Sequence, residues 1–154
     1  MAIIFITGLS GSGKSTTIKS LKSKGYHAFD LDYGFTQKKI DNETIIDEKK
    51  LEALLLNFKN EDLFLSACYS NQGDFYHLFK HVVLLDAPLS IMKERIENRT
   101  SNHYGKQPNE WIEVQQSYDE VLPLLRIGAD KTLNTLVLSV DEVANQCIML
   151  LEID

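Results

Sequence analysis

A glycine-rich segment near the N-terminus ends in lysine and serine, a combination whose chemistry is the binding of phosphate groups. Residues 8–15 read Gly-Leu-Ser-Gly-Ser-Gly-Lys-Ser and match the pattern GxxxxGK[ST] in full. Glycines let backbone N–H groups turn inward toward an anion. Lys14 can place a cation on the β- and γ-phosphates, and Ser15 can offer its hydroxyl to Mg²⁺. The segment therefore predicts binding of ATP and Mg²⁺. The expected contact residues are Gly8, Ser10, Gly11, Ser12, Gly13, Lys14, Ser15 and Thr16.

The flanking sequence supplies the two elements that such a loop needs. Ile3–Thr7 is a short, largely β-branched run that predicts a buried strand. Residues 15–24 carry apolar side chains at helical spacing and stop before Gly25, which predicts a helix. The unpaired N–H groups in the first turn of this helix, and the positive end of its dipole, would add to phosphate binding.

Two aspartates stand at the end of the second predicted strand, residues 26–31. Strand ends at the carboxyl edge of an open α/β sheet line the ligand crevice. A carboxylate there can orient an acceptor hydroxyl and accept its proton as the O–P bond forms. We expect Asp32 to be this base, because it lies farther beyond the strand than Asp30. The alternative is a pair of solvated turn aspartates.

Neutral hydrogen-bonding side chains follow the third predicted strand, residues 63–67. Ser70, Asn71 and Gln72 are expected to face the acceptor from this position. Hydroxyl and amide groups of this kind favour an acceptor with hydroxyls or amides over a polyanion.

Two arginines lie four residues apart near the end of a predicted helix spanning residues 88–99. Arg95 and Arg99 therefore share one helix face, and their positive charge could stabilise the transferring phosphoryl group in a site poor in water. The polar segment that follows, residues 100–108, is rich in turn formers and predicts an exposed loop, with Lys106 as a third candidate cation. The alternative for Arg95 is pairing with a surface carboxylate.

Short apolar runs alternate with longer segments of helical periodicity, which predicts a parallel sheet covered by helices on both faces, a three-layer α/β fold. We see no repeat or linker, so residues 1–154 are expected to form a single domain. The five predicted strands are residues 3–7, 26–31, 63–67, 81–85 and 130–134. The predicted helices are residues 15–24, 47–60, 88–99, 109–127 and 141–151, with Pro123 as a candidate kink or break.

With these motifs in order, nearly the whole chain resembles the small P-loop kinases related to adenylate, shikimate and gluconate kinases, and most closely short adenylate-kinase-like ATP-binding proteins. The resemblance implies a P-loop NTPase fold with a five-stranded parallel sheet and a short lid at about residues 100–108. It implies that the pair Asp30 and Asp32 helps to hold Mg²⁺ through water and touches the acceptor hydroxyl, with Asp30 as a metal and acceptor residue. It also implies that Arg95 and Arg99 close over the phosphates.

Two departures from shikimate kinases fall on elements that bind the acceptor. Val121 stands where those enzymes carry an arginine two residues before a proline, and the segment 66–73 replaces their GGG sequence. These departures argue against shikimate as the acceptor. Arg126 could supply a replacement cation or could be a surface residue.

The composition sets further limits on partners. The net charge of -6 and the pI of about 5.2 argue against a broad nucleic-acid surface. No apolar run approaches the length of a membrane span, and Cys68 and Cys147 read as reduced thiols. We therefore expect a cytoplasmic protein, monomeric or homodimeric, that binds ATP and a small-molecule acceptor.

The leading hypothesis is an ATP-dependent phosphotransferase that moves the γ-phosphoryl group to a hydroxyl of a nucleoside, sugar or hydroxy acid. One alternative is a nucleotide-binding regulatory protein with slow ATP hydrolysis. A further alternative is a nucleoside monophosphate kinase, although the stretch from Asp32 to Phe75 contains lysines and no arginine to hold an acceptor phosphate. Whether Asp86, which ends an apolar run as in a Walker B site, contributes to the metal site stays open.

Overall fold

A five-stranded parallel sheet forms the centre of the protein, whose computed structural model describes residues 1–153. The strand order is β2-β5-β1-β6-β7, so β1 lies in the middle and its carboxyl end meets the carboxyl ends of all its neighbours at one edge. The strands are β1 (Ile3–Thr7), β2 (His27–Asp30), β5 (Leu63–Ser66), β6 (His81–Asp86) and β7 (Lys131–Asn134), with β3 (Thr36–Lys38) and β4 (Thr44–Ile46) forming a separate hairpin.

Within residues 1–153, six α-helices surround the sheet. They are α1 (Lys14–Ser23), α2 (Glu48–Asn57), α3 (Leu89–Asn98), α4 (Pro108–Glu120), α5 (Leu122–Gly128) and α6 (Val140–Met149), accompanied by 3₁₀ segments at Gln72–Leu78 and Leu150–Glu152. The predicted fold is confirmed, with each predicted strand present within one or two residues of its expected bounds.

The central strand explains why the sheet is covered on both faces. Ile4, Phe5 and Ile6 are completely buried, which requires an apolar layer on each side of the sheet. Ile4 and Ile6 pack into a cluster with residues of α1 and α6, whereas Phe5 packs into a second cluster with Leu51 of α2. These two layers hold the carboxyl end of β1, and thus the start of the phosphate loop, in a fixed position.

The predicted helix over residues 109–127 is in fact two helices. The first ends at Glu120 and the second begins at Leu122, with Pro123 in its first turn. The missing N–H of proline is harmless at the start of a helix but would break a hydrogen bond in its interior. The candidate break at Pro123 is therefore confirmed.

The hairpin of β3 and β4 was not predicted. Each strand has only three residues, too few to show a clear alternation of apolar and polar side chains. A side chain from elsewhere secures it: the Asn71 amide accepts from the Ile46 N–H and donates to the Ile46 carbonyl, each at 3.0 Å. Asn71 thus replaces a backbone neighbour of β4.

Both cysteines are unpaired, as expected for reduced thiols. Cys147 lies on the buried face of α6, and burial raises the pKa of its thiol to about 12. Among the described residues, no helix has the length and apolar character needed to cross a membrane.

The contribution of the Asn71 hydrogen bonds to stability can be tested by substitution. Asn71→Ala should lower the free energy of unfolding by about 1–3 kcal/mol, because the N–H and carbonyl of Ile46 both lose their partner. Urea unfolding measures this change, and hydrogen exchange at Ile46 should accelerate. Asn60→Ala, at an exposed site, is the matched control. Equal stability of the two variants would contradict a stabilising role for the Asn71 hydrogen bonds.

Candidate active site

The phosphate loop, residues 8–13, connects β1 directly to α1 and is closely packed against its neighbours. A Cβ on Gly8 would lie 2.6 Å from the Leu85 carbonyl oxygen and 2.5 Å from Ser12 Oγ. Gly11 and Gly13 adopt φ values of 83° and 109°, which favour glycine. Glycine is therefore required at these positions by space and by backbone geometry.

The N-terminus of α1 is open toward the same loop. Gly13 occupies the N-cap position and no side chain caps the first turn. Unpaired N–H groups at a helix N-terminus, together with the helix dipole, form a site for an anion. The predicted contact residues from Gly8 to Thr16 thus belong to one loop and the first turn that follows it.

Lys14 lies across this loop. Its Nζ donates to the carbonyl oxygens of Gly8 at 2.5 Å and Leu9 at 3.1 Å. These neutral acceptors hold the ammonium group at the loop, and phosphate oxygens would be stronger partners for it because they carry charge.

Ser15 and Asp30 meet at the carboxyl edge of the sheet. Ser15 Oγ donates to Asp30 Oδ2 at 3.2 Å, and Asp30 Oδ1 accepts the N–H of Asp32 at 3.0 Å. A hydroxyl beside a carboxylate is an oxygen-donor set that suits Mg²⁺. The two residues predicted to hold the metal are therefore brought together, although they lie in different segments.

The environment of Asp30 disfavours its charge. Burial raises the pKa of Asp30, and the nearby charge of Asp32 adds to this effect against the opposing hydrogen bonds from the Asp32 N–H and Ser15. A divalent cation at this position would relieve the cost of the buried negative charge.

Asp32 itself is exposed and lies on the turn beyond β2. Its Oδ1 accepts a hydrogen bond of 2.5 Å from the hydroxyl of Tyr69. No local pattern links positions 32 and 69, so the sequence alone does not predict this contact. The structure therefore adds a polar contact to the carboxylate that we predicted to be the base.

Arg99 connects the loop after α3 to the phosphate loop. Its Nη2 donates to Ser10 Oγ at 3.0 Å and to the Tyr104 carbonyl at 2.6 Å, while its Nε donates to the Asn102 carbonyl at 2.9 Å. Burial lowers the pKa of Arg99. The predicted proximity of this arginine to the phosphate loop agrees with the geometry.

Arg95 lies differently from our expectation. Its guanidinium donates to the carbonyls of Gly11 and Ser12 at 3.2 and 3.4 Å, and to the hydroxyl and carbonyl of Thr135 at 2.8 Å each. In each loop peptide the carbonyl and the N–H point in opposite directions. A phosphate would face the N–H groups, so a guanidinium bound to the carbonyls lies on the other side of the loop. In this conformation Arg95 braces the loop from behind and joins it to the segment after β7.

The acceptor residues predicted after β5 also need correction. The Asn71 amide binds Ile46 through both its oxygen and its nitrogen. Gln72 is 3% exposed and uses its amide within the protein, accepting from the Tyr69 N–H and donating to Thr7 and Tyr76. Of the three predicted residues, only Ser70 is exposed. Asn71 and Gln72 support the site, and their spacing along the sequence could not reveal these distant partners.

Asp86 is engaged by an arginine. Its Oδ2 pairs with Arg126 Nη2 at 2.9 Å and its Oδ1 accepts the Ala87 N–H. The hydrogen bond from Arg126 to Asp86 raises the pKa of the guanidinium. The carboxylate of Asp86 thus forms an ion pair with Arg126, whose role the sequence left open.

The fold and the loop together define a P-loop protein with the architecture of small kinases. A family model described as an AAA domain matches residues 4–116, and the chain belongs to this family. No curated protein shows a significant sequence match.

Solved structures support the same assignment of fold. The shikimate kinase from Bacteroides thetaiotaomicron is 18% identical with a TM-score of 0.69, covering 99% of each chain. The shikimate kinase from Acinetobacter baumannii, in complex with shikimate, is 17% identical with a TM-score of 0.65, covering 99% of this chain and 93% of that one. A gluconokinase from Sinorhizobium meliloti 1021 is 16% identical with a TM-score of 0.58, covering 98% and 91%. The resemblance to this group is confirmed; at these identities the likeness establishes the fold.

The buried charge of Asp30 makes a testable prediction about stability. A raised pKa means that the folded protein holds this proton more tightly than the unfolded chain does, so the contribution to stability falls as pH rises through that pKa. Asp30→Asn should therefore raise the urea midpoint at about pH 7.5, and this gain should vanish at about pH 2.5, below the ordinary pKa of aspartate, where the carboxyl is protonated in both states. Asp74→Asn, at an exposed site, is the control. A lower midpoint at neutral pH would contradict the prediction.

Proposed function

We propose that this protein is an ATP-dependent phosphotransferase that moves the γ-phosphoryl group to a hydroxyl of a small molecule. The observation that carries the proposal is the hydrogen bond between Ser15 and Asp30. It joins the first turn of α1, directly after the phosphate loop, to the turn beyond β2 that also bears Asp32. Phosphate binding and acceptor activation would then occur within one connected set of side chains.

Each residue has a distinct role in this proposal. The loop N–H groups and Lys14 would hold the β- and γ-phosphates, and Ser15 and Asp30 would hold Mg²⁺. When bound, Mg²⁺ supplies positive charge that neutralises the phosphate oxygens. Arg99 would add charge from the lid side, and Asp32 would orient the acceptor hydroxyl.

The transfer step is an in-line displacement. The acceptor oxygen forms a bond to the γ-phosphorus while the bond to the bridging oxygen of ADP breaks, and the hydroxyl proton passes to Asp32. Most of the acceleration would come from positioning and electrostatic stabilisation, because phosphoryl transfer needs little covalent assistance from the protein.

The charges near the sheet edge favour an uncharged or cationic acceptor. Asp30 and Asp32 are both acidic, and the nearby Arg126 is already paired with Asp86. In the hairpin, Lys39 is paired with Asp41 and Glu43. A phosphate or carboxylate on the acceptor would meet repulsion from the aspartates with few free cations to offset it. A nucleoside or sugar therefore fits better than a hydroxy acid or a nucleoside monophosphate.

The segment after β7 fits the base of the nucleotide. Leu136 and Val137 are 51% and 74% exposed, although both are apolar. Arg95 and Thr135 fix this segment next to the phosphate loop. Exposed apolar side chains so close to a phosphate site would bury part of their surface against a flat base.

Acceptor-dependent ADP release tests the proposed function. Mg·ATP turnover should rise with one member of a panel of nucleosides, nucleoside monophosphates, sugars, sugar acids and cyclic hydroxy acids. Lys14→Ala should reduce that turnover about 100-fold or more, because it removes a cation from the transferring group. Lys19→Ala, on the exposed face of α1, is the matched control. Tight ATP binding without stimulation by any compound would favour the slow hydrolase or regulatory protein.

Arg99 makes a separate prediction about the lid. Arg99→Ala should lower kcat about 10- to 100-fold through lost charge stabilisation, and amide exchange across residues 100–107 should accelerate because three contacts are lost. Lys93→Ala removes a cation from the same helix, where Lys93 lies over the Trp111 ring, and should leave kcat unchanged. Wild-type kcat in Arg99→Ala would exclude a role in transfer.

A further inference from the structure

The carboxylate of Asp32 does not need its contact with Tyr69 in order to be satisfied. Asp32 is exposed, so water could satisfy its carboxylate. Tyr69 nevertheless directs its hydroxyl to Asp32 Oδ1 at 2.5 Å across 37 residues of sequence. A buried polar group needs a partner from the protein, but an exposed carboxylate does not.

The ring of Tyr69 is held by packing on the acceptor side of the sheet. It lies against the apolar cluster that includes Leu31, Phe75 and Ile46. An aromatic ring fixed by packing loses little further conformational freedom when its hydroxyl forms a hydrogen bond. The packing of the ring against this cluster therefore fixes the position of the Tyr69 hydroxyl oxygen.

The backbone of Tyr69 is fixed as well. Its N–H donates to Gln72 Oε1 at 3.0 Å, and Gln72 Nε2 donates to Thr7 Oγ1 at 3.0 Å. Thr7 is the last residue of β1, immediately before the phosphate loop. A continuous chain of contacts thus runs from the root of the phosphate loop through Gln72 and Tyr69 to Asp32.

The charges around the Tyr69 hydroxyl keep it a donor. Burial raises the pKa of Tyr69 strongly, and the hydrogen bond and negative charge of Asp32 raise it further. Asp30 and Cys68 are the other titratable groups close to this hydroxyl, and they act in the same direction. A protonated hydroxyl beside a carboxylate donates to it, which is the direction of the hydrogen bond from Tyr69 to Asp32.

We propose that Tyr69 is a positioning residue, which holds one oxygen of Asp32 so that the other is presented to the acceptor hydroxyl. Gln72 sets the position of Tyr69 relative to the phosphate loop. This inference rests on the proposed function, since it concerns the same transfer reaction. It assigns a role to Tyr69 in place of packing alone.

A double-mutant cycle tests the role in transfer. Tyr69→Phe keeps the ring and should lower kcat about 10-fold, since a freely rotating base is less often in position. The KM for ATP should stay constant, because the phosphate loop is unchanged. In an Asp32→Asn background, which is itself slow, Tyr69→Phe should cause no further loss. Tyr26→Phe, which removes a hydroxyl on the opposite face of the sheet, is the matched control.

The outcomes of the cycle are distinct. Wild-type kcat in Tyr69→Phe would overturn the inference, and so would an equal loss in both backgrounds, because the two residues would then act independently. Turnover is measured as ADP release with the panel compound that stimulates the wild-type protein. If no compound does so, both the proposed function and the role of Tyr69 in it fail.

A second measurement does not depend on turnover. Tyrosines labelled with ¹³C at Cζ report ionisation of each hydroxyl by NMR, and the Tyr69 signal is assigned by its loss in Tyr69→Phe. In the wild-type protein the Tyr69 signal should stay unchanged in alkaline solution where exposed tyrosines ionise. In Asp32→Asn it should begin to shift at lower pH, because the negative charge is gone. Identical titration in the two proteins would overturn the contact itself, independently of catalysis.

Discussion

The close packing of the phosphate loop against neighbouring main chain is the constraint on which the rest of the site depends. The loop passes so close to β6 and α3 that side chains at Gly8 and Gly11 would collide with the carbonyls of Leu85 and Met92. A loop held on both sides by main chain has little freedom to adjust to its ligand. Its N–H groups are thus directed in advance, and preorganised dipoles of this kind stabilise charge without reorganisation during the reaction.

The remaining parts of the site are tied to this loop, or to the residues directly beside it, by side-chain hydrogen bonds. Ser15 reaches Asp30, Arg99 reaches Ser10, and Thr7 receives the Gln72 amide. Because the carboxyl ends of the parallel strands meet at one edge, three distant segments of sequence arrive within hydrogen-bond distance of the loop. The sheet brings the segments together, and these side chains determine their final orientation.

Local patterns in the sequence were sufficient for the phosphate loop and the five strands, since these depend on a motif or on short apolar runs. They were insufficient for the hairpin, whose three-residue strands carry no periodicity. They also did not reveal the contacts that Asn71 and Arg95 make. Polar side chains at a ligand edge look alike in sequence whether they face the ligand or bind main-chain groups behind it, and partners such as Ile46 and Thr135 are remote in sequence.

The brace formed by Arg95 and Thr135 has a consequence for how such a protein can diversify. Thr135 stands forty residues after Arg95, yet the two share hydrogen bonds with each other and with the carbonyl of Ser12. The segment after β7, which we expect to lie beside the base of the nucleotide, therefore cannot be exchanged independently of Arg95. A graft of that segment from a relative would leave the guanidinium without its partner, so new base preferences should arise through paired changes in α3 and the β7–α6 connection.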